Sequence, residues 1–111
     1  MRIVIINESH TVLPQQEEIL GDYIRLNLPD SGATIFQVRN EYTPSLKEQV
    51  LMGHEIVFAT PFAAMMVVLQ SEGIKFSCLH NDKRIAKEIP EGKGGVKVIH
   101  SVAPDGWVIV K

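Results

Sequence analysis

Three short apolar runs, "RIVIIN", "EIVFAT" and "IKFSCL", recur along the chain, and the first two lead into segments with helical character. Runs of this length rich in Val, Ile and Phe suit strands buried on both faces, and strands alternating with helices predict a parallel sheet with right-handed crossovers. The pattern therefore predicts a small α/β domain. With 111 residues the chain suits one domain, 1–111, with no room for a second core.

The first run opens a strand, and Leu13, Ile19, Leu20, Tyr23, Ile24 and Leu28 follow at near-helical spacing, predicting one helix over that segment. Pro29, Asp30 and Gly32 punctuate a break before "ATIFQV", which reads as the second strand. The next helix starts in one of two ways. Thr43 caps it with Pro44 at the first helical position, or Ser45 pairs with Glu48 as a capping box. It stops near Gly53. "EIVFAT" is the third strand, and Thr60-Pro61 is a start signal for the helix "PFAAMMVVLQSEG". That helix is apolar around most of its circumference, which predicts a second packing partner for it. "IKFSCL" is the fourth strand. The tail, with "RIAKEI", "VKVIHSV" and "WVIV" between the turn sequences "EGKGG" and "APDG", reads as a small antiparallel β unit in which Trp107 packs in the core.

In open α/β sheets ligands bind beyond the carboxyl ends of the strands, where the strand order reverses. If the first and third strands are neighbours, Asn7, Glu8, Ser9, His10 and Thr11 converge there with Thr60, Pro61 and Phe62. Both loops lead towards helix N-termini, whose free N–H groups suit a phosphate. Lys83 and Arg84 in "LHNDKRIAK", with His80, Asn81 and Lys87, lie beyond the fourth strand as candidate anion contacts, and Arg39 and Asn40 hold a similar place after the second. Local structure alone offers a plainer role, in which Ser9 or Thr11 caps the first helix and His10 is an exposed loop residue.

Other chemistries fit poorly. Ser9 and His10 are adjacent, point apart and lack a G-x-S-x-G elbow, so a serine hydrolase is not indicated. His54, His80 and His100 show no metal-ligand spacing, so no metal site is expected. "EGKGG" is not a P-loop, no dinucleotide-binding glycine fingerprint follows the first strand, and Thr60 stands where a phosphate-accepting receiver domain would carry aspartate. Cys78 is the only cysteine and lies in an apolar strand, which predicts a core thiol.

Charge is uneven: residues 1–72 carry four Lys/Arg against nine Asp/Glu, and residues 73–111 carry seven against four. This distribution fits a local site for a small anion better than a DNA-binding surface, although a solvated surface with chance asymmetry accounts for it too. No apolar run approaches a membrane span and the first residues lack a signal-peptide pattern, so a cytoplasmic protein is expected.

"IINESHTVLPQQEEIL" resembles the opening of small CRISPR-associated accessory proteins related to the cyclic-oligoadenylate ring nucleases. There a first strand runs into Ser-His, a nearby leucine and a glutamine of the first helix; here these are Ser9, His10, Leu13 and Gln15 or Gln16. "GHEIVFATPFAAMMVVLQSEGIKFSCLHNDKR" is similar to the same group. The resemblance implies a CARF-like, small Rossmann-like fold, with helices on both faces of a parallel sheet and a C-terminal β-hairpin unit. It implies a cyclic oligoadenylate ligand of type III CRISPR signalling, most plausibly the cyclic tetra-adenylate, bound by a homodimer whose two-fold symmetry matches the ring. It implies ring opening without metal or cofactor, by a ribose 2′-OH held in line with its phosphorus. His10 would then transfer the proton, Ser9 and Thr60 would orient phosphates, and Lys83 or Arg84 would stabilise developing charge. The alternatives are a sponge that holds the same ring uncut and an interaction module without a nucleotide ligand.

Overall fold

A computed structural model describes residues 1–81, 83–91, 95–102 and 106–111; within the strands 84–91 and 95–102, side chains are described only at Ala86, Gly95 and Val98. The chain forms β1 (Arg2–Asn7), α1 (Pro14–Leu20), β2 (Tyr23–Leu28), α2 (Ile35–Gln37), a π-turn (Val38–Tyr42), α3 (Thr43–Leu51), β3 (Glu55–Phe58), α4 (Ala63–Ser71), β4 (Ser77–Asn81), β5 (Arg84–Glu91), β6 (Gly95–Val102) and β7 (Trp107–Val110). The main sheet has the order β2-β1-β3-β4-β7, with β1 parallel to β2 and β3, β3 parallel to β4, and β7 antiparallel to β4. This is a small Rossmann-like sheet. The order reverses between β1 and β3, as in doubly wound sheets whose ligands sit at that point.

Alternate residues of β1 feed two cores. Ile3 and Ile5 pack with Val38, Leu46, Met65, Val68 and Leu69 of the α2–α3 and α4 side, while Val4 and Ile6 pack with Val12 and Leu20 on the α1 side. Helices therefore cover both faces. Val4 and Ile5 are 0% exposed, and full burial of such side chains stabilises by about 1.5–3 kcal/mol each. That is why β1 sits at the centre of the sheet.

Two segments depart from the expectations. Tyr23–Leu28 is a strand and not the end of a first helix. Gly21, at φ 65°, ends α1 with its N–H on the Glu17 carbonyl at 3.0 Å, and the alternation Tyr-Ile-Arg-Leu-Asn-Leu then pairs in register with β1. "ATIFQV" is not a strand. Thr34 caps α2 by accepting from the Gln37 N–H at 3.2 Å, and Gln37 Oε1 accepts from the Thr34 N–H at 2.8 Å, a capping box that outweighs the β-branched composition.

α2 runs through the π-turn into α3, so neither Thr43 nor Ser45 opens a helix. Pro44 has no N–H to give and crowds the carbonyl four residues back, and the wider turn absorbs that defect. The Val38 carbonyl instead takes both the N–H and, at 2.7 Å, the hydroxyl of buried Thr43.

α4 is less apolar outside than its sequence implies. Met65, Val68 and Leu69 are buried, and Val67 is its one large hydrophobic side chain that is substantially exposed. Its N-cap is Phe62, which makes no side-chain cap, so Thr60 does not start the helix.

β5 and β6 pair antiparallel as a two-stranded sheet of their own, in register from Arg84↔Val102 to Glu91↔Gly95. "WVIV" leaves that unit and closes the main sheet against β4. Trp107 and Ile109 pack on the α1-side core, and the Trp107 N–H donates to Gln15 Oε1 at 2.9 Å. Cys78 is partly buried against the other core, and burial pushes its thiol pKa up. Among the described residues no helix is long and apolar enough to cross a membrane.

Candidate functional site at the sheet switch point

The loops after β1 and β3 meet at one hydroxyl. Thr60 Oγ1 accepts the Asn7 N–H at 2.9 Å and lies 3.0 Å from His10 Nδ1. β1 and β3 diverge at their carboxyl ends once pairing stops at Ile5↔Phe58, and the Ala59 and Thr60 N–H groups fold back onto the Ile5 carbonyl. That bend aims Thr60 at β1.

His10 is exposed. A threonine hydroxyl has one proton and two lone pairs, and one lone pair is already taken by Asn7. Donation of its proton to Nδ1 satisfies both groups, and this leaves neutral His10 with its proton on Nε2. The face it offers outward is then a hydrogen-bond donor, suited to an anionic oxygen or to protonating a leaving group rather than to removing a proton.

The rest of the β1 loop is tied to the end of β2. Asn7 Oδ1 accepts the Ser9 N–H at 3.0 Å, forming an Asx-turn, and Ser9 Oγ lies 2.8 Å from both Asn7 Oδ1 and Asp30 Oδ1. Glu8 donates its N–H to the Leu28 carbonyl at 2.8 Å, while its Oε1 accepts the Asp30 N–H at 3.0 Å. Arg25 completes the cluster. Its Nη2 donates to the His10 carbonyl at 3.0 Å and lies 3.5 Å from that of Asn7, and its Nε donates to Asn27 Oδ1 at 2.9 Å.

Asn7, Ser9, His10 and Thr60 are thus brought together as expected, but two carboxylates, Glu8 and Asp30, share the loop cluster with one guanidinium. Ser9 acts as a strut between loops. Neither Ser9 nor Thr11 caps α1: the N-cap is Leu13, whose N–H is satisfied by buried Gln16 Oε1 at 2.9 Å, and Thr11 is exposed. α1 has only seven residues and begins with Pro14, so it offers no N-terminal anion site. Pro61 is exposed, and Phe62 packs against the α4-side core.

Lys83 follows the carboxyl end of β4 on the same edge of the sheet and is exposed; its N–H donates to Asn81 Oδ1 at 2.8 Å. The Arg84 and Lys87 side chains, and Lys93 entirely, lie outside the described residues. Arg39 and Asn40 are not at this edge, because their segment is the π-turn, where Asn40 Nδ2 donates to the Phe36 carbonyl at 2.9 Å. No group of three His, Cys, Asp or Glu side chains among the described residues is placed to hold a metal ion.

Sequence reasoning missed Arg25 and Asp30. Both were hidden by reading Tyr23–Leu28 as helix, and the period-two alternation after Gly21 was the available signal. Concave space lies elsewhere: an open hollow of about 420 Å³ at the opposite edge, lined by Arg2, Asp22 and Glu55, and a groove of about 170 Å³ between β2 and α3. Comparison with protein-family models, curated proteins and solved structures finds no match for the chain.

Proposed function

We propose that the protein binds a cyclic oligoadenylate of type III CRISPR defence, in the cytoplasm, and removes it by opening the ring at the switch-point crevice. The observation that supports this reading is the convergence of two loops on Thr60, which holds the exposed His10 at the point where such sheets receive ligands. Ring opening by a neighbouring ribose 2′-OH needs positioning of that hydroxyl and a proton for the departing 5′ oxygen. His10, donating through Nε2, supplies the second. Lys83 lies on the same edge to meet phosphate charge, and Thr11 and Pro61 flank the crevice as exposed loop residues.

Sequestration of the intact ring is the second reading, and Glu8 and Asp30 bear on it. Ligand phosphates are repelled by carboxylates in the cluster unless base and ribose contacts offset them. A pocket that binds on those terms needs no turnover.

Metal-free incubation with a molar excess of cyclic tetra-adenylate, followed by chromatography of ligand and products, separates the readings. Linear product beyond the protein concentration, lost in His10→Ala, is the expected result. Stoichiometric retention of intact ring supports sequestration, and neither retention nor cleavage rejects this ligand.

A further inference from the structure

The free edge of β2 is built to pair with a second copy of itself. β2 is the outermost strand on its side and is in register with β1 at all six positions from Arg2↔Tyr23 to Asn7↔Leu28, so it carries no bulge. The Asp22 and Leu28 carbonyls accept from Arg2 and Glu8, so even-numbered residues of β2 turn their backbone groups to β1. Those of Tyr23, Arg25 and Asn27 consequently point outward. Native edges are ordinarily blunted by lysine, proline or a bulge. β2 has none of these, and its one charge, Arg25, is turned onto the His10 loop.

The side chains beside that edge are apolar and uncovered. Ile24 is 51% exposed and lines the groove of about 170 Å³ with Leu26, Ser45, Leu46 and Gln49. α3 thus leaves the outer part of β2 open on the face where Ile24 stands.

We infer that two chains associate by antiparallel pairing of β2 with β2 about a two-fold axis through Ile24. Only pairs of outward-pointing residues exchange backbone bonds. Tyr23 therefore bonds Arg25 of the partner subunit and the reverse, and Ile24 stands opposite its own copy in the closer, non-bonded position. Pairing centred on Arg25 would set like charges face to face. Centred on Ile24, the register brings Arg25 to the partner subunit's Tyr23, whose hydroxyl is 3.3 Å from Glu17 Oε1. A cation thus meets a phenol and carboxylate at both ends, and the exposed isoleucines cover each other. The contact is isologous and closes at two subunits.

The arrangement is independent of the nucleotide proposal but constrains it. Antiparallel pairing sends the carboxyl ends of the two β1 strands in opposite directions, so the two crevices lie at opposite ends of the joined sheet. Each would serve its own ligand, and a ring shared across the two-fold axis is not available to this dimer. It also moves the contact surface from α4, whose outer face carries little but Val67, to the sheet edge.

Sedimentation velocity without ligand, over roughly 1–100 µM, where modest interfaces dissociate, tests the contact. The wild-type chain is expected to be dimeric in the upper part of that range. Ile24→Asp, which opposes two carboxylates, should weaken the dimer by at least about a hundredfold with an unchanged circular dichroism spectrum. Ile24→Cys in a Cys78→Ser background should form a covalent dimer on oxidation, since the paired Cα atoms would be about 4.5 Å apart, within disulfide reach. A monomer at every concentration, a dimer that survives Ile24→Asp, absence of the Ile24→Cys cross-link, or open-ended larger assemblies would each overturn the inference.

Discussion

The imidazole of His10 and the hydroxyl of Thr60, fifty residues apart in sequence, stand 3.0 Å apart at the carboxyl edge of the sheet. The contact joins the two loops that flank the reversal in strand order, and it leaves Nε2 as the ring atom without a hydrogen bond among the described residues. One side chain thus fixes both the shape of the crevice and the chemistry His10 offers there.

Thr60→Val keeps the shape of the side chain and deletes the hydroxyl. The part-buried Asn7 N–H loses its acceptor and His10 loses its anchor. A cost of about 1–2 kcal/mol in urea unfolding is expected, the usual penalty for an orphaned donor. In the same variant the His10 ring signals should move towards those of a freely rotating side chain in NMR spectra. An unchanged unfolding midpoint together with unchanged ring signals would show that the contact has no role.

Glu8 and Asp30 supply a second test, because their charge opposes any phosphate brought to Ser9. Glu8→Gln retains an oxygen that can accept the Asp30 N–H but removes one negative charge. Affinity for cyclic tetra-adenylate, read by isothermal titration, should rise by roughly threefold to tenfold at low salt and converge with wild type near 1 M salt, where the screening length is about 3 Å. Equal affinities at low salt would mean that the phosphates bind away from this loop.

The strands that enclose the core were legible because a short run of Val, Ile and Phe has few other places to go. β1, β3 and β4 follow from that, and with them the convergence of Asn7, Ser9 and His10 with Thr60. The two misread segments have physical causes. Tyr23–Leu28 has only one well-buried residue, so its apolar positions mimic a helix continuing past Gly21. In Ala33–Val38 the Thr34–Gln37 capping box acts over four residues, too short a span for periodicity to register. The interlocking of Arg25, Glu8 and Asp30 was invisible, since it depends on β2 lying beside β1 rather than on any spacing within one segment.

Gly106 is a position where only glycine fits. Its φ is 95°, and a Cβ built there would stand 2.8 Å from Lys83 Cβ and 3.0 Å from Asn81 Oδ1. Gly106→Ala should cost about 2–3 kcal/mol, combining left-handed strain with displacement of the buried Asn81 that begins the β4–β7 pairing. Thermal unfolding should fall by several degrees. An unaltered melting temperature would show that the β7 approach relaxes freely.

Stability at high pH follows from Cys78 and Tyr23. Burial raises the Cys78 thiol above 9.0, and burial with the Glu17 carboxylate raises the Tyr23 phenol above 10.0. In both cases the folded chain holds its proton more tightly than the unfolded chain does. The contribution is therefore complete below the unfolded pKa and is lost as pH rises through the folded value. Urea midpoints should accordingly be insensitive to these groups near neutrality and fall from about pH 9 upward, with Cys78→Ala flattening the first part of the decline. Alkylation by iodoacetamide at pH 8 should also run several-fold slower for the folded chain than for the same chain in urea. A thiol that reacts equally fast in both states would contradict the burial that raises its pKa.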